Sequence, residues 1–239
     1  LSDYRGARWN PGARRFFSAA SPFRPRRRRL KRRAMAEISS LFATKVYRAP
    51  LGGAASLRAD LEAACLVIAA DDGAGQAWSR KNAYPGYTSY ASLNDLPWRF
   101  PPFATLQTRL DKHAAAFAKE LSFDLLGGSL ALDSLWVNVL SPDGAHTGHI
   151  HPNSVISGTY YVSVPKGASA LKLEDPRLPM MMAAPPRRKG CREELRTFIY
   201  EAPAVGDVLL WESWLRHEVP LNMAEDDERV SVSFNYRWE

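Results

Sequence analysis

The chain is poor in the residues that define several classes of protein. Its 239 residues include two cysteines, Cys65 and Cys191, too few for a disulfide scaffold. Long apolar runs are also missing. The longest, Ala63 to Ala70, falls far short of the ~18–20 residues that cross a bilayer, so no membrane span is expected. Acidic residues are almost absent from 1–34, where Asp3 stands against eleven arginines and one lysine. Beyond that tail the balance reverses: 20 basic residues face 24 acidic ones, a net of −4. The overall charge of +7 therefore belongs to the tail. A nucleic-acid footprint on the remainder is not expected.

What is present is the composition of an ordinary globular protein, 46% hydrophobic and 24% charged. Residues 1–34 show no hydrophobic period. They read as a solvated arm, as an Arg-rich targeting peptide, or as residues outside the native protein, since Leu1 opens the chain and Met35 directly precedes the first patterned stretch. The expected setting is the reducing cytoplasm, or an organelle if the tail is a targeting peptide. Residues 35–239 are expected to form a single domain, with helical support over 56–125 and a barrel over 130–239.

Within that domain, Ile38 to Tyr47 reads as a strand, and Ser56 as the N-cap of a helix ending near Asp71. Residues 77–102, rich in Pro, Gly, Tyr and Ser, read as an ordered loop. A helix follows from Phe103 to Leu121, with Phe103, Leu106, Leu110, Ala114, Phe117 and Leu121 on one stripe. After Gly127-Gly128 the pattern turns to short β runs at 134–140, 156–164, 169–174, 196–201, 206–212 and 229–237. Many short strands without a further long helix imply a sandwich or closed barrel. The last strand alternates cleanly: Val230, Val232, Phe234 and Tyr236 on one face, Arg229, Ser231, Ser233 and Asn235 on the other.

Three of the five histidines fall within Gly-Ala-His146-Thr-Gly-His149-Ile-His151-Pro. On an extended strand His149 and His151 would share a face, their Cα atoms roughly 6.5–7 Å apart, a separation that suits two imidazoles on one ion. His217 lies downstream, after the strand Asp207–Glu212. Three neutral imidazoles on one side of an ion would leave its other positions open, as a redox metal requires. His146, out of step by three residues, reads as a supporting or surface residue, and His113 as solvated. Trp211 and Trp214 read as packing residues.

The order His149-x-His151-Pro, Ser157-Gly-Thr-Tyr-Tyr-Val162, distant His217 and then Arg229 resembles the double-stranded β-helix of the 2-oxoglutarate/Fe(II) oxygenases. It is most similar to a largely bacterial family of them with a His-x-His-Pro…Ser-Gly-x-Tyr-Tyr-Val core. Trp136-Val-Asn138, Glu174-Asp-Pro-Arg177 and Gly206-Asp-Val-Leu-Leu-Trp-Glu212 add to the likeness, which spans roughly 38–237. The resemblance implies a mainly β fold with N-terminal helices, a jelly-roll, cupin-like barrel. It further implies an oxygenase using Fe(II) and 2-oxoglutarate on an unidentified substrate. In that frame His149, His151 and His217 hold the metal and Arg229 binds the far carboxylate of 2-oxoglutarate. Ser231 and Tyr161 add hydroxyl hydrogen bonds, and Asn138 is a polar contact or a structural bond.

One departure stands out: the wider superfamily has a carboxylate where this chain has His151. Two other readings therefore remain open. One is a three-histidine dioxygenase that needs no oxoacid, with Arg229 binding a substrate carboxylate. The other is a non-enzymatic metal-binding barrel with the tail as a nucleic-acid arm. For Arg229 itself, the alternative is a surface charge pairing with the Glu225-Asp-Asp-Glu228 run. Residues 176–195 read as a long mobile excursion, with Met180 to Met182 either touching substrate or anchoring the loop.

Overall fold

A computed structural model describes residues 36–53, 55–225 and 227–239. The expectations for the tail 1–34 lie outside the described residues. Residues 36–45 carry no regular structure; the first strand, β1, is Val46–Pro50, later than the Ile38–Tyr47 expected. Its apolar predecessors Ile38, Leu41 and Phe42 are exposed, and Phe42 has a left-handed backbone that a strand cannot use.

Four helices come next: α1 (Ala55–Asp71), α2 (Gly73–Lys81), α3 (Leu96–Arg99) and α4 (Pro101–Glu120). The expected loop 77–102 is thus part helix, and it also holds a short strand, β2 (Gly86–Thr88). Its helical turns were concealed by their composition, since Gly73–Lys81 is short, polar and holds two glycines, and it is held by its N-cap, with Asp72 accepting from the Gly75 amide at 3.0 Å. Helix α4 starts at a Pro-Pro pair, where missing amide hydrogens leave no intrahelical bond unmade. Its predicted stripe is real, with Phe103, Leu106, Leu110, Ala114 and Phe117 at most 1% exposed.

The remaining strands are β3 (Leu130–Leu140), β4 (His146–His149), β5 (Ile156–Ser163), β6 (Leu171–Glu174), β7 (Phe198–Glu201), β8 (Asp207–Glu212), β9 (His217–Val219) and β10 (Arg229–Trp238). They form two antiparallel sheets with free edges, one ordered β1-β8-β5-β10-β3-β2 and the other β4-β9-β6-β7. The jelly-roll expectation holds as an open two-sheet sandwich, and the closed barrel does not. Strands β1 and β2, from outside the expected 130–239 region, supply the two edges of the larger sheet.

The larger sheet has apolar contacts on both faces. On one, Val137 and Val139 of β3 and Val230, Val232, Phe234 and Tyr236 of β10 pack with α1 and α4. Tyr236 also donates to Asp111 of α4 at 2.7 Å. On the other, Leu140, Leu209 and Trp211 meet Leu171, Leu173 and Val219 of the smaller sheet. Burying such side chains is worth about 1.5–3 kcal/mol each, so both layers have a strong hold on the sheet between them. Gly158 sits where β5 passes between Leu210 and Phe234. A Cβ there would lie 2.5 Å from each, which is why the Ser-Gly-x-Tyr-Tyr stretch needs glycine.

The 176–195 excursion has only two 3₁₀ turns, Leu178–Met181 and Glu193–Leu195. Met180 and Met182 are 78% and 91% exposed, so neither anchors the loop.

Candidate metal centre

The smaller sheet brings the histidines together. His149, the last residue of β4, is the cross-strand partner of His217, the first residue of β9. His151 lies beyond the end of β4, so the shared strand face expected for His149 and His151 is not how they meet. Instead the loop after β4 turns back, its His151 amide donating to the Ser213 carbonyl at 3.0 Å. One ligand nitrogen from each of His149, His151 and His217 lies within 4.8 Å of the other two. The Nε2 atoms of His151 and His217 are 3.3 Å apart.

Two of the rings are already oriented. The Nδ1 of His149 is 2.7 Å from the Thr147 carbonyl, and that of His217 is 2.8 Å from the Leu215 carbonyl. A carbonyl only accepts, so both Nδ1 atoms carry the proton and both Nε2 lone pairs face the shared point. The His151 ring is stacked between Trp136 and His217, the latter within 4° of parallel. Burial, with the neighbouring His149 as a second cause, lowers His217 to about 3 and His151 to about 4. Both rings are therefore neutral near pH 7, the state in which imidazole binds a metal. Trp211 packs edge-on against His217 at 4.7 Å, as a packing residue should, but Trp214 is 45% exposed and does not pack as expected.

The three histidines line a cavity of about 360 Å³ shared with Arg229, Ser231 and Asn138. Arg229 is 2% exposed, not at the surface. No carboxylate among the described residues lies within ion-pair distance of it, and Glu228 instead accepts from Ser141 at 3.5 Å. Among the described residues its one hydrogen bond is to the Ser231 hydroxyl at 3.3 Å, and its Nε has no partner. The Tyr161 ring lies beneath, 5.2 Å from the guanidinium carbon. Tyr161 does not reach the cavity wall, and its buried hydroxyl is unpartnered. A buried guanidinium with no anion among the described residues is costly, and an anion in this cavity would relieve that cost.

Asn138 is engaged on both sides, accepting from Thr88 at 2.9 Å and donating to Ser233 at 3.0 Å. Its amide braces the wall. One contributor, Tyr84, was missed in the sequence. Tyr84, in the segment read as loop, lines the cavity and is hydrogen-bonded to the Nε2 of His146. His146 thereby proves a supporting residue facing the cavity. Burial and the Arg229 charge lower it to about 3. His113, expected in solvent, is hydrogen-bonded to the Tyr47 hydroxyl at 2.9 Å.

Residues 134–235, which include His149, His151, His217, Asn138 and Arg229, match the family model described as "Putative 2OG-Fe(II) oxygenase". None of the curated proteins compared is similar enough in sequence to count as a match. Among solved structures, the fold is similar to a prolyl-4-hydroxylase of Pseudomonas putida, at 13% identity and a TM-score of 0.55 over 82% of this chain and 94% of that one. It is also similar to SnoN, a non-heme α-ketoglutarate-dependent epimerase from nogalamycin biosynthesis, at 15% identity and 0.54 over 81% and 76%. HygX of Streptomyces hygroscopicus, solved with nickel and 2-oxoglutarate, matches at 16% and 0.50 over 81% and 82%. Identities this low speak to the fold, and the family match speaks to the segment it covers. Residues 134–235 are thus similar to the 2OG-Fe(II) oxygenase family, within a chain of jelly-roll fold.

Proposed function

We propose that the chain is a 2-oxoglutarate- and Fe(II)-dependent oxygenase that hydroxylates an unidentified substrate, with His149, His151 and His217 holding the metal. The observation that carries this reading is the pairing of two incomplete groups in one cavity. Three imidazoles converge there on one point, and a buried guanidinium has no anion among the described residues. A dicarboxylate oxoacid completes both. Its oxoacid end would meet an ion that three neutral ligands leave with its full +2 charge, and its far carboxylate would meet Arg229 and Ser231. HygX, with nickel and 2-oxoglutarate bound, is a precedent on a similar fold.

When bound, Fe(II) and 2-oxoglutarate supply oxygen activation coupled to oxidative decarboxylation. The protein supplies placement. The Thr147 and Leu215 carbonyls hold two imidazoles in the ligand tautomer. The planar fork of Arg229 fixes the cosubstrate by paired, charge-assisted hydrogen bonds. Apolar Trp211, Leu171 and Val219 line the same cavity and keep bulk water from it. Trp136 and Tyr90, edge to face at 5.2 Å on the cavity wall, offer the substrate an aromatic flank. Among the described residues no helix is long and apolar enough to cross a membrane.

His151 in place of a carboxylate favours a second reading, a three-histidine dioxygenase without an oxoacid. Anaerobic titration of the Fe(II) protein with 2-oxoglutarate separates the two. A visible charge-transfer band that saturates is the expected result. Failure of 2-oxoglutarate to bind the iron-loaded protein would overturn the first reading in favour of the second.

A further inference from the structure

His151 differs from the other two histidines in one respect. Its Nδ1 faces an amide side chain, not a carbonyl. Asn235 Nδ2 lies 3.1 Å from His151 Nδ1 and 3.0 Å from the Ser134 hydroxyl, while Asn235 Oδ1 lies 2.8 Å from the Ser157 hydroxyl. In that arrangement the amide donates to His151 Nδ1, so the imidazole proton sits on Nε2. There it points at His217 Nε2, 3.3 Å away, whose lone pair is free because its own Nδ1 donates to Leu215. The network is complete without a metal, but it leaves His151 in the tautomer that cannot ligate through Nε2.

Rotating the Asn235 amide by half a turn reverses this at the loss of one hydrogen bond, that from His151 Nε2 to His217 Nε2, and turns both of those lone pairs toward the shared point. Oδ1 would then accept from both His151 Nδ1–H and the Ser134 hydroxyl. Nδ2 would donate to Ser157, which would pass its own proton to Ser213, 2.8 Å away. Every neighbour but the histidine is a hydroxyl, able to donate or accept, so the amide's own partners do not oppose the turn. One proton leaves His151 Nε2 and one arrives at Nδ1, with no net uptake. The ring itself stays where Trp136 and His217 stack it.

We infer that Asn235 is a positioning residue that selects the tautomer of His151, resting in the metal-free form and turning its amide to admit the metal. The inference rests on the metal site proposed above. The test uses the full chain. By ¹⁵N-imidazole NMR, His151 should carry its proton on Nε2 in the metal-free protein and on Nδ1 after loading with Zn²⁺. In Asn235→Asp, a pure acceptor, it should be on Nδ1 in both states, and Co²⁺ should bind with near wild-type affinity. Asn235→Leu, which can neither donate nor accept, should bind Co²⁺ about 10–100-fold more weakly. Finding Nδ1–H in the metal-free wild type, or unchanged Co²⁺ affinity in Asn235→Leu while His217→Ala loses it, would overturn the role of Asn235 alone. A His217→Ala protein with wild-type Co²⁺ affinity would overturn the metal site itself.

Discussion

Replacing Arg229 by methionine should make the ligand-free protein more stable while destroying its hold on 2-oxoglutarate. The guanidinium is 2% exposed, reaches one hydroxyl at a long 3.3 Å, and leaves Nε unpartnered. Its stacking over Tyr161 at 5.2 Å returns roughly 0.5–2 kcal/mol. Against that stands the desolvation of an unpaired charge, several kcal/mol. Methionine fills similar space without the charge. A net gain of about 1–4 kcal/mol is expected, by analogy with buried charges replaced by apolar side chains. For a domain of this size that is a rise in melting temperature of at least about 2 °C. The same change removes two charge-assisted hydrogen bonds to the cosubstrate, about 3–6 kcal/mol together. Affinity should therefore fall about 10²–10⁴-fold. Thermal melting of the metal-free protein and anaerobic calorimetry with 2-oxoglutarate read the two effects separately. A variant that melts several degrees lower and binds 2-oxoglutarate as before would refute the reasoning, because the guanidinium would then be structural.

Three further outcomes are expected. His149→Ala and His217→Ala should each lose stoichiometric iron, measured by metal analysis after gel filtration; a variant retaining one iron per chain would remove that residue from the ligand set. Folding holds His146 neutral down to about pH 3, whereas the unfolded chain takes up its proton near 6.5, so the unfolded state binds more protons between those values. Its contribution is complete above pH 6.5 and shrinks as pH falls below it, by up to about 2 kcal/mol at pH 5. His146→Gln should flatten the urea-midpoint profile over that window, and an unchanged slope would count against it. Gly158→Ala should destabilise by about 1–3 kcal/mol, since the added carbon would lie 2.5 Å from Leu210 and Phe234. Urea denaturation at a constant m-value checks this, and a neutral result would mean that β5 can shift.

The parts of this protein that could be read in its sequence are those with a single apolar face. Strand β10 announced itself because one set of its residues meets the helices and the other the cavity. Helix α4 did so through its stripe. Strand β5 was found only as an apolar run, since it is buried on both sides from Ile156 to Val162 and has no alternation to offer. Strand β9 is three residues long, below any periodic signal, although it carries His217. The meeting of His149 with His217 depends on that cross-strand pairing, and no spacing along the chain encodes it. Tyr84 was hidden for a different reason: it lies in a segment of turns whose composition says only that the backbone bends. Likewise the placement of His151 follows from a loop returning to Ser213, not from the two-residue interval that first drew attention to it.

The alternation along β10 has a consequence for how this chain can fail. A slip of one residue against β3 or β5 would drive Arg229 and Asn235 into the oily layer beneath α4 and turn Val230 and Phe234 toward the ligand chamber. Both layers would be spoiled by one error. A misaligned copy is therefore penalised twice, so the chemistry on one side of the ribbon helps to proofread the folding of the other.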